Sequence, residues 1–186
     1  MRTLGLGATL GAILVLAGCG GTTYTGRGPT VQNDIFLSAA LAHAQSELEL
    51  AQLAQEKAHT RSIVAYAQHV AAERAPLVER LTAAAKINGS SADTNHTPSL
   101  DGYRPLEGEA FERAYLAAQI EDEQNAIDIF EFASRTSNDA ALRQFTAETL
   151  PVLRQDRVDA LGIVKDIPFE TTSDQSQGVI VAPRRR

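Results

Sequence analysis

Chain breakers are scarce from residue 33 to residue 166, and most of them fall in one short stretch. Gly89, Pro98, Gly102, Pro105 and Gly108 lie within twenty positions of one another. Elsewhere in the span only Pro76, Pro151 and Gly162 occur. In a helix interior, glycine costs about 1 kcal/mol and proline about 3 kcal/mol relative to alanine. A chain that avoids both and is rich in alanine is suited to long helices. Tryptophan is absent and aromatic residues make up only 5 %. The core must therefore be filled by aliphatic and alanine side chains, which lets helices approach closely.

Local signals cut the span into four helices. The first covers 34–58, with Asn33 as its candidate cap. Thr60 caps the second, 61–87, which stops at Asn88-Gly89, a pair suited to a left-handed C-terminal turn. Residues 90–106 are polar, contain two prolines and read as loop. The third helix covers 108–134. Asn138 or Asp139 opens the fourth, which ends near Lys165, ahead of Pro168. Apolar residues recur at helical period in each. They are Phe36, Ala40, Ala44, Ala51 and Ala54, then Ile63, Ala67, Val70, Leu77, Leu81 and Ala84. The third helix supplies Leu116, Ile120, Ile127 and Phe130, and the fourth Leu142, Phe145, Val152, Ala160 and Ile163. Four such stripes can share one core, so residues 34–166 are expected to form an all-α four-helix bundle.

Connection lengths constrain the topology. The first and last joins are so short that each must close an antiparallel hairpin. The middle join has about 20 residues, and at roughly 3.3 Å per residue it reaches ~65 Å. A helix of about 27 residues is ~40 Å long. The middle join can therefore run the length of the bundle. Two hairpins joined by a long crossover is the ferritin-like arrangement. The alternative is an up-down-up-down bundle with a slack loop. The crossover is favoured, because long structureless loops are uncommon inside compact domains.

Each apolar stripe is interrupted near its middle by charge. Glu47 falls between Ala44 and Ala51, and Arg74 between Val70 and Leu77. Asp122 and Glu123 fall between Ile120 and Ile127, and Asp156 between Val152 and Ala160. Helix middles share one height whichever way the helices point. The expectation is one charged layer inside the bundle; the alternative is that these residues turn to the rim and are solvated. Bundles build metal sites from such layers, and the di-iron form uses Glu-x-x-His on two helices. No Glu-x-x-His occurs here, and none of His43, His59, His69 and His96 falls at the expected layer. His43 and Glu47 form only a single i,i+4 pair. A guanidinium cannot ligate a metal. Arg74 is therefore expected to neutralise the acids where a metal would otherwise sit, so no metal ligand and no cofactor are assigned. Recruitment of Ca²⁺ or Mg²⁺ by the surplus acids ranks lowest. Pro76 and Pro151 fall inside helices and are expected to bend them.

The N-terminus follows a different grammar. Arg2 is followed by an uncharged apolar run, 4–16, and then by Leu16-Ala17-Gly18-Cys19. The run is too short and too rich in glycine for a membrane-spanning helix. A positive start, an apolar stretch and small residues before the cut form a signal peptide, here residues 1–18. Leu-Ala-Gly-Cys resembles the bacterial lipobox, which makes Cys19 the expected lipidation site. It is also the only cysteine, so no disulfide forms within the chain. Stable anchoring needs more than one acyl chain, and lipoproteins of this kind carry several. Gly20, a non-acidic residue after the cysteine, points by the same resemblance to the outer membrane. Residues 19–33 then form a linker, and residues 167–186 a polar tail ending in Arg184-Arg185-Arg186. Without residues 1–18 the chain has sixteen basic and twenty-three acidic residues, a net charge of −7. Neither nucleic acid nor an anionic lipid face is therefore an expected partner of the whole body.

Four stretches carry a family resemblance. They are Ser46-Glu47-Leu48-Glu49-Leu50-Ala51-Gln52-Leu53-Ala54, Ala65-Tyr66-Ala67-Gln68-His69-Val70, Ala110-Phe111-Glu112-Arg113-Ala114-Tyr115 and Thr149-Leu150-Pro151. In order and spacing they resemble a ferritin-like domain-of-unknown-function family of bacterial exported and outer-membrane proteins, over roughly residues 35–165. The resemblance implies an acid at Glu47, Asp-His where this chain has Glu73-Arg74, and histidines where it has Glu123 and Asp156. It implies a fold and an address but no reaction. No Gly-x-Ser-x-Gly motif suggests a hydrolase. The expected function is that of a membrane-tethered cell-envelope lipoprotein, facing the periplasm, with a structural or partner-binding role. Its expected partners are the membrane, through the lipid on Cys19, and an envelope protein. The alternative is a ferritin-like metal-binding protein or metal-dependent oxidoreductase.

Overall fold

The computed structural model describes residues 31–167. Four helices account for most of them: α1 Val31–Lys57, α2 Arg61–Asn88, α3 Gly108–Thr136 and α4 Ala140–Asp166. The all-α bundle expected from the sequence is present, and its boundaries lie within three residues of those expected. Gly89 ends α2 with φ +60°, and its neighbourhood closes on the carbonyls of Ala85 and Lys86. This is the stop expected at Asn88-Gly89, where glycine carries no Cβ to clash. Asp139 caps α4 by accepting from the amides of Ala141 and Leu142.

Two expected caps are not formed. Asn33 lies inside α1, because residues 31–33, expected as linker, are already helical. No breaker separates them from the helix, and Asn33 Oδ1 instead accepts from Ser137 Oγ at 2.9 Å, tying the start of α1 to the end of α3. Thr60 occupies the N-cap position of α2 without a side-chain cap bond. Its hydroxyl donates to Glu112 of α3.

Each helix packs beside its hairpin partner, and the hairpins meet as α1 against α3 and α2 against α4. Cross-bonds fix the directions. The end of α1 meets the start of α3 through Lys57 Nζ and Glu107 at 2.5 Å, and the start of α1 meets the end of α3 through Asn33 and Ser137. α1 and α3 are thus antiparallel. So are α2 and α4, where His69 faces Asp156 and Arg80 faces Glu148.

The connection between α2 and α3 must then return along the bundle, and it does so against α1. Ser90 and Ser91 bond to Asp34 at its start, Gln45 Nε2 donates to Thr94 O near its middle, and Lys57 Nζ donates to Arg104 O at its end. Leu100 and Tyr103 of this strap are buried. The long-crossover topology holds and the up-down-up-down alternative does not. Pro76 and Pro151 lie within continuous helices at exposed positions. Among the described residues no helix is long and apolar enough to cross a membrane.

The core falls into two apolar clusters. One, toward the end of α1, gathers Leu50, Ile63, Tyr66, Phe111, Tyr115 and their neighbours. The other, toward its start, gathers Phe36, Leu37, Leu41, Leu81, Phe130 and Leu153. Phe36 and Phe130 meet edge to face there, with centroids 5.2 Å apart. Between the two clusters lies the polar layer.

Candidate functional site

Glu47, Arg74, Glu123 and Asp156 converge from the four helices, and none is more than 1 % exposed. This decides against the solvated-rim alternative. The arrangement follows from helical phase: each residue occupies a core-facing position midway along its helix, where an aliphatic side chain would otherwise sit.

Arg74 is the hub. Its Nε donates to Glu47 Oε2 at 2.6 Å. Its Nη2 donates to Glu123 Oε1 and lies 3.0 Å from Asp156 Oδ2. A guanidinium presents five N–H donors in a rigid fork, which suits several carboxylates at once. Asp122 is buried on the same turn of α3 as Glu123. His43 is half-buried one turn before Glu47.

One cation among three buried carboxylates leaves excess negative charge, and the layer answers by holding a proton. Burial first, and then the charge of Glu47, push the Glu123 carboxyl up to about 9, against the pull of Arg74. Burial also raises Asp156, opposed by Arg74 and His69. Burial alone would pull Arg74 down, but Glu47, Glu123 and Asp156 outweigh it and hold the guanidinium charged. The hydroxyls of Tyr66 and Tyr115 are raised by burial and by the nearby carboxylates, and remain neutral.

Several participants were not anticipated. His69 joins the layer, contrary to expectation: its Nε2 lies 3.0 Å from Asp156 Oδ1 while the ring stays half exposed. It stands five residues before Arg74, too far along α2 for the layer by height alone. The antiparallel approach of α4 brings Asp156 to it. Tyr66 Oη donates to the backbone carbonyl of Asp156. Tyr115, Gln119 and Glu123 stand at i, i+4 and i+8 and so share a face of α3. Tyr115 Oη, both terminal atoms of Gln119, Glu123 Oε2 and Glu47 Oε1 take no hydrogen bond from protein. Polar atoms buried in this way are normally satisfied by internal water. Only the i+4 spacing hinted at this column in the sequence.

A second polar junction lies at the far end of the bundle. Glu112 of α3 accepts from the amides of His59 and Thr60 and from the Thr60 hydroxyl, each at 2.7 Å. Burial works against its charge, but these donors prevail and hold the carboxyl below the usual glutamate range. Glu112 thus ties the turn between α1 and α2 to α3.

A metal would need the position that Arg74 fills. Among the described residues no group of three or more His, Cys, Asp or Glu side chains stands in an arrangement that could hold a metal ion. The donor set does not fit one, because the carboxylates converge on a cation that is already present. A cleft of about 100 Å³ between α2 and α4, lined by Glu73, Pro76, Arg80, Glu148 and Thr149, ends against Arg74. Cys19, residues 1–18 and residues 20–30 lie outside the described residues, as do residues 168–186.

One comparison finds a family. Residues 24–162 match the family described as "Domain of unknown function (DUF4142)". The chain belongs to that family. The DUF4142 match covers three of the four helices whole and nearly all of α4, including every residue of the charged layer. No curated protein and no solved structure matches the chain.

Proposed function

We propose that this DUF4142 protein is a non-catalytic, lipid-tethered bundle of the bacterial cell envelope. Cys19 carries the lipid, the outer membrane holds it, and the bundle faces the periplasm in a structural or partner-binding role. The observation that carries the non-catalytic half is the seat of Arg74. Its guanidinium, bonded to acids of the other helices, fills the place where a ferritin-like relative would hold metal. The tether rests on the order of Arg2, the apolar run and Leu16-Ala17-Gly18-Cys19. In this reading the bundle is a ferritin-like exported domain whose metal site has been replaced by an internal salt bridge.

The rival reading is a metal-binding protein or metal-dependent oxidoreductase. It draws on three buried carboxylates with His69 at their edge, and requires Arg74 to withdraw. Metal analysis of the mature chain, purified without chelator beside Arg74→His, separates the two. The proposal expects no stoichiometric iron, manganese or zinc in either form, and a lower melting temperature for Arg74→His. Bound metal in the unaltered protein would overturn it.

A further inference from the structure

The end of the bundle where α1 begins carries an exposed apolar surface. Ile35, Ile87 and Phe132 are 65 %, 67 % and 52 % exposed. Ile35 and Phe132, with Phe36, Ala39 and Ile129, line an open groove of about 650 Å³ between α1 and α3. Gln32 and Asp128 complete its lining. Ile87 closes α2 at the same end, beside the Asp34–Ser90 contact. Large contiguous apolar surfaces on soluble domains mark interaction sites.

We infer that this groove seats against the membrane at the boundary of headgroups and acyl chains, an inference that rests on the lipidation of Cys19. Val31 stands twelve positions after Cys19. At roughly 3.6 Å per residue they span at most about 43 Å. The tether enters the bundle at the start of α1, so this is the end joined directly to the lipid anchor. The groove begins within the first turns of α1, directly after the tether. Its side chains suit the site: Phe and Ile on the surface, with Lys86 exposed at the same end. Asp34 accepts from Ser90 and Ser91, Asp128 from Gln124, and Glu131 from Arg135 and Arg154. Of these acids Glu131 is the one paired with arginine, so the contact rests on apolar burial and not on charge. Because no helix among those described spans a bilayer, the contact is shallow and lateral.

The chain lacks tryptophan, so one can be introduced as a depth probe. The lipidated chain carrying Phe132→Trp is placed in phosphatidylethanolamine–phosphatidylglycerol vesicles with brominated acyl chains. Ile35→Trp serves as a second probe should Phe132→Trp fail to fold. Val164→Trp, about 36 Å along α4 from its first residue, is the control. The expected result is a blue-shifted emission and at least twofold quenching at position 132 or 35, with position 164 unchanged. Adding Ile35→Glu to the Phe132→Trp protein should abolish the quenching. If mass spectrometry shows acyl chains on Cys19 and the protein floats with the vesicles, yet position 132 is unquenched, the tether stands and the docking surface is refuted. A mature N-terminal peptide without acyl chains refutes the tether, and the inference with it. A concentration-dependent blue shift without vesicles assigns the groove to a second copy and overturns the membrane assignment.

Discussion

Two glutamates of α3, both buried, meet opposite fates. Glu112 sits where α1 turns into α2 and receives three hydrogen bonds from that turn. Glu123 sits in the central layer, shares one guanidinium with two other acids, and keeps one oxygen without a protein donor. The first is held ionised and the second is driven toward its protonated form. Residue type and helix are the same, but Glu123 lies deeper. Depth and the supply of donors for each carboxylate both differ. Burial sets the cost of the charge, and the local count of N–H and O–H groups decides whether that cost is met.

The strongest way to break this contrast is to remove the guanidinium at the centre of the layer. Arg74→Met should cost about 3–5 kcal/mol in urea unfolding, because it strands buried carboxylates. A loss below about 1 kcal/mol would mean that the layer sheds its charge by protonation and needs no cation. Combining Arg74→Met with Glu47→Gln, Glu123→Gln and Asp156→Asn should restore most of the loss, as buried ion networks often tolerate neutral replacement. At the other junction, Glu112→Ala should cost about 2 kcal/mol, the scale of buried hydrogen bonds to a charged group. A neutral effect there would show that water replaces the carboxylate at the start of α2.

The dependence on pH sharpens the comparison. Glu123 has a folded-state pKa of about 9 against 4.5 for an ordinary glutamate. The folded protein therefore keeps a proton that the unfolded chain releases. The stability linked to it is complete below pH 4.5 and is lost as pH rises toward 9. Glu112 works in the opposite sense: its contribution is complete above pH 4.5 and is lost as pH falls below it. Melting temperatures across pH should show Glu123→Gln flattening the alkaline decline and Glu112→Gln flattening the acid one. Exchange of these two signatures would invert the assignment of donors. The smallest expected effect is that of Asp139→Ala. It removes the local cap of α4 and should cost about 1 kcal/mol, measured by the same melts. This calibrates what a local helix cap is worth against the hold of Glu112 on the α1–α2 turn.

The parts of this design that depend on neighbours along the chain were legible in the sequence. Helix limits followed from Gly89, Gly108 and Asp139. The crossover followed from the length of one join. Glu47, Arg74, Glu123 and Asp156 stood out as gaps in apolar stripes. The partners that depend on how helices cross were not legible. His69 lies outside the layer by height and enters it only because α4 places Asp156 beside it. Glu112 carries no mark of this contact, since the amides it receives are about fifty residues away in sequence. Thr60 was expected to serve its own helix, but a carboxylate from α3 offers its hydroxyl a better acceptor. Leu37, Leu41, Leu50 and Leu153 are as buried as any stripe residue, because each helix touches more than one neighbour and buries a broader arc than one stripe.

The distribution of Arg74's partners sets an order of events in time. Glu47 belongs to the same hairpin as Arg74, whereas Glu123 and Asp156 arrive with the other. Local hairpins close early, and long-range docking must first meet the entropy of the nineteen-residue strap between α2 and α3. A weakened Arg74–Glu47 pair should therefore slow folding, whereas a weakened Arg74–Glu123 pair should mainly hasten unfolding. One guanidinium thus gives the chain a kinetic clasp: its first half forms within the α1–α2 hairpin, and its second locks only when the two hairpins have met in register.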